Sequence, residues 1–462
     1  MRYISTRGTA EALDFEGAML TGLARDGGLY VPETWPEMTL EEIAGLRGKS
    51  YEEVAFAVMW PFVEGAFSEA EFREIVATAY SSFGHAARCP VVQSGANDFV
   101  LELHHGPTLA FKDVAMQLIG QMFQVALGRA GKRATIVGAT SGDTGSAAIE
   151  AFRGIEGVDV FILYPHGRVS EVQRRQMTTP KEANVHALAV DGDFDTCQAL
   201  VKAMFNDFAF RDRVGLAAIN SINWARVLAQ AVYFFTAALA LGAPERKVSF
   251  TVPTGNFGDI FAGYVAKRMG LPIERLVIAT NRNDILHRTL QSGAHVKEGV
   301  APSISPSMDI QVSSNFERLL FDLYDREGVA IAQLMGDLSE KGGFLLSQGA
   351  LARLRKEFDS GRASEEETSE EIRRAFAETG VLQCPHTAVG LKAARDVRGD
   401  QAIPMVTLAT AHPAKFPAAV EAATGQHPPL PTRMADLYER SERLTRLPGD
   451  LAAVEAHILE HL

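Results

Sequence analysis

The chain has 462 residues, more than one hydrophobic core usually organises, so two or three domains are expected. Its 57 acidic against 45 basic residues give a formal charge of −12 with no long block of Lys or Arg; nucleic acid and anionic membranes are poor partners for such a chain, and an anionic ligand must be held by local amides and a few placed cations. Cys89, Cys197 and Cys384 lie far apart without a Cys-x-x-Cys pair, which argues against a disulfide framework and a zinc site and fits a reducing cytoplasm.

The N-terminus "MRYISTRGTAEALDFEGAML" has neither the apolar core of a signal peptide nor the acid-poor composition of a transit peptide. After a short strand, "TLEEIAGLRGKSYEEVAFAVMWPFVEG" and "SEAEFREIVATAYSSF" carry apolar residues at helical spacing, predicting a helical N-terminal domain over residues 1–94. From about residue 98 the pattern changes. Apolar, β-branched runs are each followed by a glycine-containing turn and a helical stretch: "ATIVGA" before "SGDTGSAAIEAF", "VDVFILYP" before "SEVQRRQM", "VHALAVDG" before "FDTCQALVKAMF", and "KVSFTVPT" before "GNFGDIFAGYVAKRMG". That alternation predicts an α/β fold with mainly parallel sheets flanked by helices. The apolar window "VLAQAVYFFTAALALGA" is shorter than the roughly 20 residues that span a bilayer and reads as a buried helix. Residues of about 315–380 are helical and strongly charged, an elaboration on the sheet body. A last strand, "IPMVTLAT", leads into "AHPAKF" and a C-terminal tail.

Two loops stand where a strand hands over to a helix, the place at which free N–H groups and the helix dipole favour an anion. "PTGNFGDI" sets Gly255 and Gly258 around Asn256 and Phe257, so the backbone can close on a phosphate. "GATSGDTGS" is richer in hydroxyls and suits a small carboxylate. Neither matches G-x-G-x-x-G or G-x-x-x-x-G-K-[ST], and each by itself could be a tight turn. "HHGPTLAFKD" embeds Lys112 in apolar surroundings, where an amine loses part of its preference for charge and can form a Schiff base with an aldehyde cofactor; the plain alternative is a helix-start lysine with its head in water. The neighbours His104 and His105 would point to opposite faces of a strand and have no third ligand at a useful spacing, so no metal is expected. His386 and His412 read as shaping turns at helix starts.

The motifs "HGPTLAFKD", "TSGDTGSAA", "VPTGNFGDIFAGY" and "TAHPAKF", in this order, together with "YISTRG" and "GLARDGGLYVP", resemble threonine synthases of the longer bacterial and fungal type. The one departure is His104, where phenylalanine is commoner. The resemblance implies a fold-type II pyridoxal-phosphate enzyme, related to the tryptophan synthase β chain, that converts O-phospho-L-homoserine and water to L-threonine and phosphate. It implies a catalytic region over 95–462, with a mobile subdomain at roughly 105–230 and a large one at roughly 231–462. Lys112 would carry the cofactor; Gly255, Asn256, Phe257, Gly258 and Asp259 would hold its phosphate, Asp259 through its amide with the carboxylate turned away; Thr410 would sit beside the pyridine nitrogen and Asp143 near the ring oxygen. Thr140, Ser141 and Thr144 would meet the substrate carboxylate, and Arg7, Ser313, Ser314, Asn315 and Lys415 are candidates for its phosphate. A cytoplasmic monomer or homodimer is expected. Two other readings stay open: a related phospho-lyase that releases a keto acid, and a non-catalytic metabolite-binding protein on the same fold.

Overall fold

In the computed structural model, which describes residues 1–462, strand β1 (Tyr3–Ser5) pairs antiparallel with β2 (Tyr30–Pro32), and the chain continues in helices Tyr51–Val63 and Glu69–Ser81. Ser50 and Ser68 start these helices. Each accepts the amide three residues on, and Glu53 or Glu71 returns the bond, so the sequence itself marks where the helix begins. Val58 and Phe62 on one helix and Phe72, Ile75 and Val76 on the other are buried, and the pair packs on helices Lys112–Ala130 and Trp224–Ala240. Tyr80 ties the contact by donating to the carbonyl of Val114 at 3.2 Å. The N-terminal segment therefore rests on the helix that begins with Lys112.

Strands β3 (Val91–Gln93) and β4 (Asp98–Glu102) come next, then β5 (Ala134–Ala139), β6 (Val158–Pro165), β7 (Val185–Val190) and β8 (Leu216–Ala217). They are followed by β9 (Val248–Pro253), β10 (Ile273–Thr280), the antiparallel pair β11 (Ala294–Val296) and β12 (Gly343–Leu345), β13 (Phe358–Arg362), β14 (Met405–Ala409) and β15 (Thr445–Leu447). Two sheets result. A six-stranded one runs β13-β10-β9-β14-β4-β3, parallel except for β3; a five-stranded one, wholly parallel, runs β15-β7-β6-β5-β8. Every residue of β6 and β9 is buried, as central parallel strands covered on both faces require. The helix Trp224–Ala240, buried along nearly its whole length, is the apolar window of the sequence, and no helix is long and apolar enough to cross a membrane.

The structure departs from the sequence reading in two places. The charged stretch after residue 315 is not helical throughout: β13 lies within it and adds to the large sheet beside β10. "FDSGR" is short and half polar, and its partner strand supplies what its own pattern lacks. The C-terminal tail does not trail away either, because β15 pairs with β7 and the helix Leu451–Glu460 buries Val454 and Ile458 against the small sheet.

Candidate active site

The loop after β9 turns into the helix Gly258–Arg268 through Phe257, which takes a left-handed backbone (φ 62°) directly before the helix and whose ring is buried against Phe316. No side chain caps that helix. The amides of Gly255, Asn256, Phe257, Gly258 and Asp259 have no acceptor within the protein, leaving a concentrated set of donors at a helix N-terminus, the arrangement that holds an anion. A side chain at Gly255 would place Cβ 2.6 Å from the carbonyl oxygen of Ser307. The loop is braced from outside: Ser313 Oγ donates to the carbonyl of Gly255 at 2.7 Å, and the amide and side chain of Asn315 both donate to the carbonyl of Asn256, at 3.0 and 2.9 Å. The Asp259 carboxyl turns away to accept from the Tyr233 hydroxyl, and burial pushes it up to about 7.

The second loop follows β5 and starts the helix Asp143–Phe152. Gly142, at φ 136°, takes a backbone shape that other residues rarely adopt. Thr140 folds this loop on itself, its Oγ1 accepting from the amides of Gly142 and Gly145, both at 2.9 Å. The amides of Ser141, Asp143 and Thr144 have no protein acceptor, and the Ser141 and Thr144 side chains are half-buried.

Lys112 opens its helix at the end of a loop held by Asp113, which accepts from the Thr108 amide at 2.8 Å and the Thr108 hydroxyl at 2.5 Å. Its buried Nζ lies 3.6 Å from Asp143 Oδ2 and 4.6 Å from the centre of the Phe111 ring. Burial first, then the charges of Arg226 and Lys415, lower the Lys112 ammonium, while Asp143 pulls the other way. Lys415 is fully buried; its Nζ is 3.0 Å from Asp143 Oδ1 and donates to the carbonyl of Thr108 at 2.8 Å. For Asp143, burial alone would raise the carboxyl, but Lys415, Lys112 and a 2.9 Å hydrogen bond from Gln173 together hold it well below the carboxylate range. Thr410, buried at the end of β14, accepts the Phe111 amide at 2.8 Å through its carbonyl, which sets that residue against the lysine loop.

Lys112, Asp143 and Lys415 are thus brought together, and Ser313, Ser314 and Asn315 join the Gly255–Asp259 loop. Arg7 stands apart from both groups in a two-point ion pair with Glu317, at 3.1 and 3.0 Å. Sequence reasoning missed Gln173, which fixes Asp143, and Arg226, a buried guanidinium whose charge reaches Lys112. It also placed His386 only as a turn residue. The structure shows His386 accepting the Ser307 amide at 3.2 Å behind Gly255, with burial holding its ring down to about 4. The signal for Arg226 was a lone charge opening the most apolar helix of the chain; nothing local pointed to Gln173.

The model "Threonine synthase N terminus" matches residues 2–80, "Pyridoxal-phosphate dependent enzyme" residues 89–346 and "Threonine synthase, C-terminal" residues 387–458. The threonine synthase of Pseudomonas aeruginosa is 56% identical over 462 residues, covering 100% of this chain and 98% of that protein. The crystal structure of PLP-bound threonine synthase from Brucella melitensis superposes with a TM-score of 0.98 at 58% identity, covering 100% of this chain and 99% of that one. The yeast threonine synthase structure gives 0.94 at 40% identity, covering 100% and 98%. The residues here fit pyridoxal phosphate: five unpaired amides stand at one helix start, around a glycine that a Cβ would crowd against Ser307, and a buried lysine is held toward its neutral form. The chain belongs to the threonine synthase family of fold-type II, pyridoxal-phosphate-dependent enzymes.

Proposed function

We propose that this chain converts O-phospho-L-homoserine and water to L-threonine and phosphate, and that the residues gathered around Lys112 carry the reaction. The observation that supports this most is the convergence of an enclosed lysine with a carboxylate and a second lysine beside an uncapped helix start. Pyridoxal phosphate, when bound, supplies the electron sink that lets the carbons next to the substrate nitrogen lose and regain protons. The amides of Gly255 to Asp259 hold its phosphate, and Lys112 Nζ is its attachment point. With its Nζ free, Lys112 would take the α proton and then a β proton of the substrate, a task its lowered ammonium pKa suits. Phosphate would leave the γ carbon, the two protons taken would be returned to the γ and α carbons, and water would give its hydroxyl to the β carbon and its proton to the released phosphate.

Asp143 beside the ring oxygen would be repulsive on its own. Two lysines neutralise it, so in this reading Asp143 and Lys415 act as a pair that orients Lys112 and holds a proton near the ring oxygen. The amides and hydroxyls of Ser141 and Thr144 take the substrate carboxylate, with Thr140 bracing their loop. Arg226 joins Arg7 as a candidate for the substrate phosphate, since buried guanidinium groups hold such anions well. Water has to be excluded early and admitted late, which a mobile subdomain of roughly 105–230 moving against the large one of roughly 231–462 would achieve, with the helical domain of residues 1–94 resting on the lysine helix. The enzyme works as a cytoplasmic monomer or homodimer with no nucleic-acid partner.

Purified protein saturated with cofactor, given O-phospho-L-homoserine, tests the reading by its product. Threonine and phosphate in equal amounts are expected. A keto acid with phosphate would make it a phospho-lyase, and no turnover would leave only binding.

A further inference from the structure

Away from the lysine cluster, three histidines meet on one face of the five-stranded sheet. His186 comes from β7, and His457 and His461 from the helix Leu451–Glu460 and the residue that ends it. Their ligand nitrogens all lie within 4.8 Å of one another. The ring centres of His457 and His461 are 4.1 Å apart and those of His186 and His461 5.1 Å.

The frame around them is firm. His186 lies flat on Phe161 at 4.3 Å with 9° between the planes. Val454 and Ile458, on the same helix as the other two histidines, are buried in a cluster with Phe161, Leu188 and Leu200. The four-residue spacing of His457 and His461 puts both on one face of that helix.

The hydrogen bonding leaves a ring nitrogen of both His457 and His461 without a partner in the protein. His461 Nδ1 donates to the carbonyl of His457 at 2.8 Å, which commits its proton to Nδ1 and leaves the lone pair of Nε2 free. Metal-bound histidines are commonly oriented by such a bond from the non-ligating nitrogen. Nε2 of His457 is buried without any hydrogen-bond partner, a cost that native proteins rarely carry without a reason.

We propose that His186, His457 and His461 bind one zinc ion, with water completing a tetrahedron. Zinc–nitrogen bonds of roughly 2.0–2.1 Å put tetrahedral ligands about 3.4 Å apart, so the rings must close by about 1.4 Å, which rotation of His461 in the exposed last turn allows. Neutral imidazoles suit zinc, copper and nickel better than harder cations. The ion would join the C-terminal helix directly to β7, the strand that β15 also extends, and so clamp the tail to the small sheet far along the chain from the sequence that built it.

The test uses untagged holoenzyme stripped with chelator and then titrated with Co²⁺ and with Zn²⁺. One equivalent of Co²⁺ is expected to bind with the visible bands of a tetrahedral ion and to be displaced by one equivalent of Zn²⁺. His186→Gln, His457→Gln and His461→Gln should each weaken binding by at least ~100-fold, since even supporting groups around a ligand contribute 10–100-fold. His461 is exposed at the chain end, so loss of binding in His461→Gln with unchanged circular dichroism and unchanged cofactor content cannot come from unfolding. Absence of stoichiometric binding, or binding undiminished in any of the three variants, overturns the site and leaves the three rings as an apolar cap on the sheet.

Discussion

The loop at Gly255 and the loop at Gly142 both carry a parallel strand into a helix, and neither helix has a side-chain cap. They are braced in opposite ways. The first is held from outside, by Ser313 and Asn315 bonding its carbonyls, so its amides stay free and no ionised side chain turns into it. The second is held from within by Thr140, and its first helical residue, Asp143, sits charged between two lysines. A rigid backbone cradle suits an anion that stays bound through every turnover. A loop with its own ionised network suits the part of the site where protons move and substrates come and go.

The largest break in this comparison is at the lysine that Asp143 touches. If Lys112 is both the cofactor attachment and the proton carrier, Lys112→Ala removes both, and kcat should fall by at least ~10³-fold, within the range that positioned acid–base groups supply. Borohydride treatment of the wild type should fix the cofactor on a peptide containing Lys112 and on no other. A variant that keeps turning over, or trapping on a different lysine, sinks the assignment.

On the cradle side, Gly255→Val forces a β-branched side chain to within 2.6 Å of the Ser307 carbonyl, and the loop must shift. Losing one or two charge-assisted bonds, each about 1.5–3 kcal/mol, should raise the cofactor dissociation constant by about 100-fold. The ratio of kcat to that of the wild type at saturating cofactor should change far less. If affinity is unaltered in a folded variant, the free amides are a turn and nothing more.

Lys415→Met separates the two loops chemically, because only the second has a charge to unbalance. Removing one partner of a buried pair costs about 3–5 kcal/mol of stability, so the melting temperature should drop. The sign of the pH effect follows from the charges. Lys415 helps to lower the Lys112 ammonium, and Asp143 raises it; without Lys415 the Lys112 pKa rises, and the ascending limb of the kcat profile moves to higher pH. At neutral pH kcat should fall by about 10- to 30-fold with cofactor affinity little changed. If instead KM for O-phospho-L-homoserine and inhibition by free phosphate change together while the pH profile stays, Lys415 serves the substrate phosphate.

How much of this was legible in the chain depends on distance along it. Lys112 in its apolar loop, and Gly255 with Phe257, are local units legible in the sequence, and the strand–turn–helix alternation marked β5, β6, β7, β9 and β14 but not the edge strands β13 and β15. Lys415 was placed near the site by its closeness to Thr410, but its partner Thr108 is 307 positions away, and no periodicity reports that its ammonium is enclosed. Gln173, His386 and the whole of β13 share this character: each has an ordinary local sequence and gains its role from a surface that a remote segment provides. Ser313, Ser314 and Asn315 were legible as a polar turn, yet which anion they attend depends on the packing of that turn against Asn256.

The smallest effect decides that last point. Ser313→Ala deletes one hydrogen bond, to the Gly255 carbonyl, and a neutral bond of this kind contributes about 0.5–1.5 kcal/mol. If the turn is a brace for the cradle, the cofactor dissociation constant should rise by about 2- to 10-fold while KM for O-phospho-L-homoserine, measured at saturating cofactor, stays at the wild-type value. If the turn meets the substrate phosphate, the two constants trade places: KM rises and cofactor affinity holds. Serine is buried here and Ala is smaller, so folding is not at stake, and the two titrations can be read directly against each other. A rise in both constants would mean that Ser313 serves both neighbours at once, and the contrast between an externally braced loop and a self-braced one would then rest on Asn315 alone.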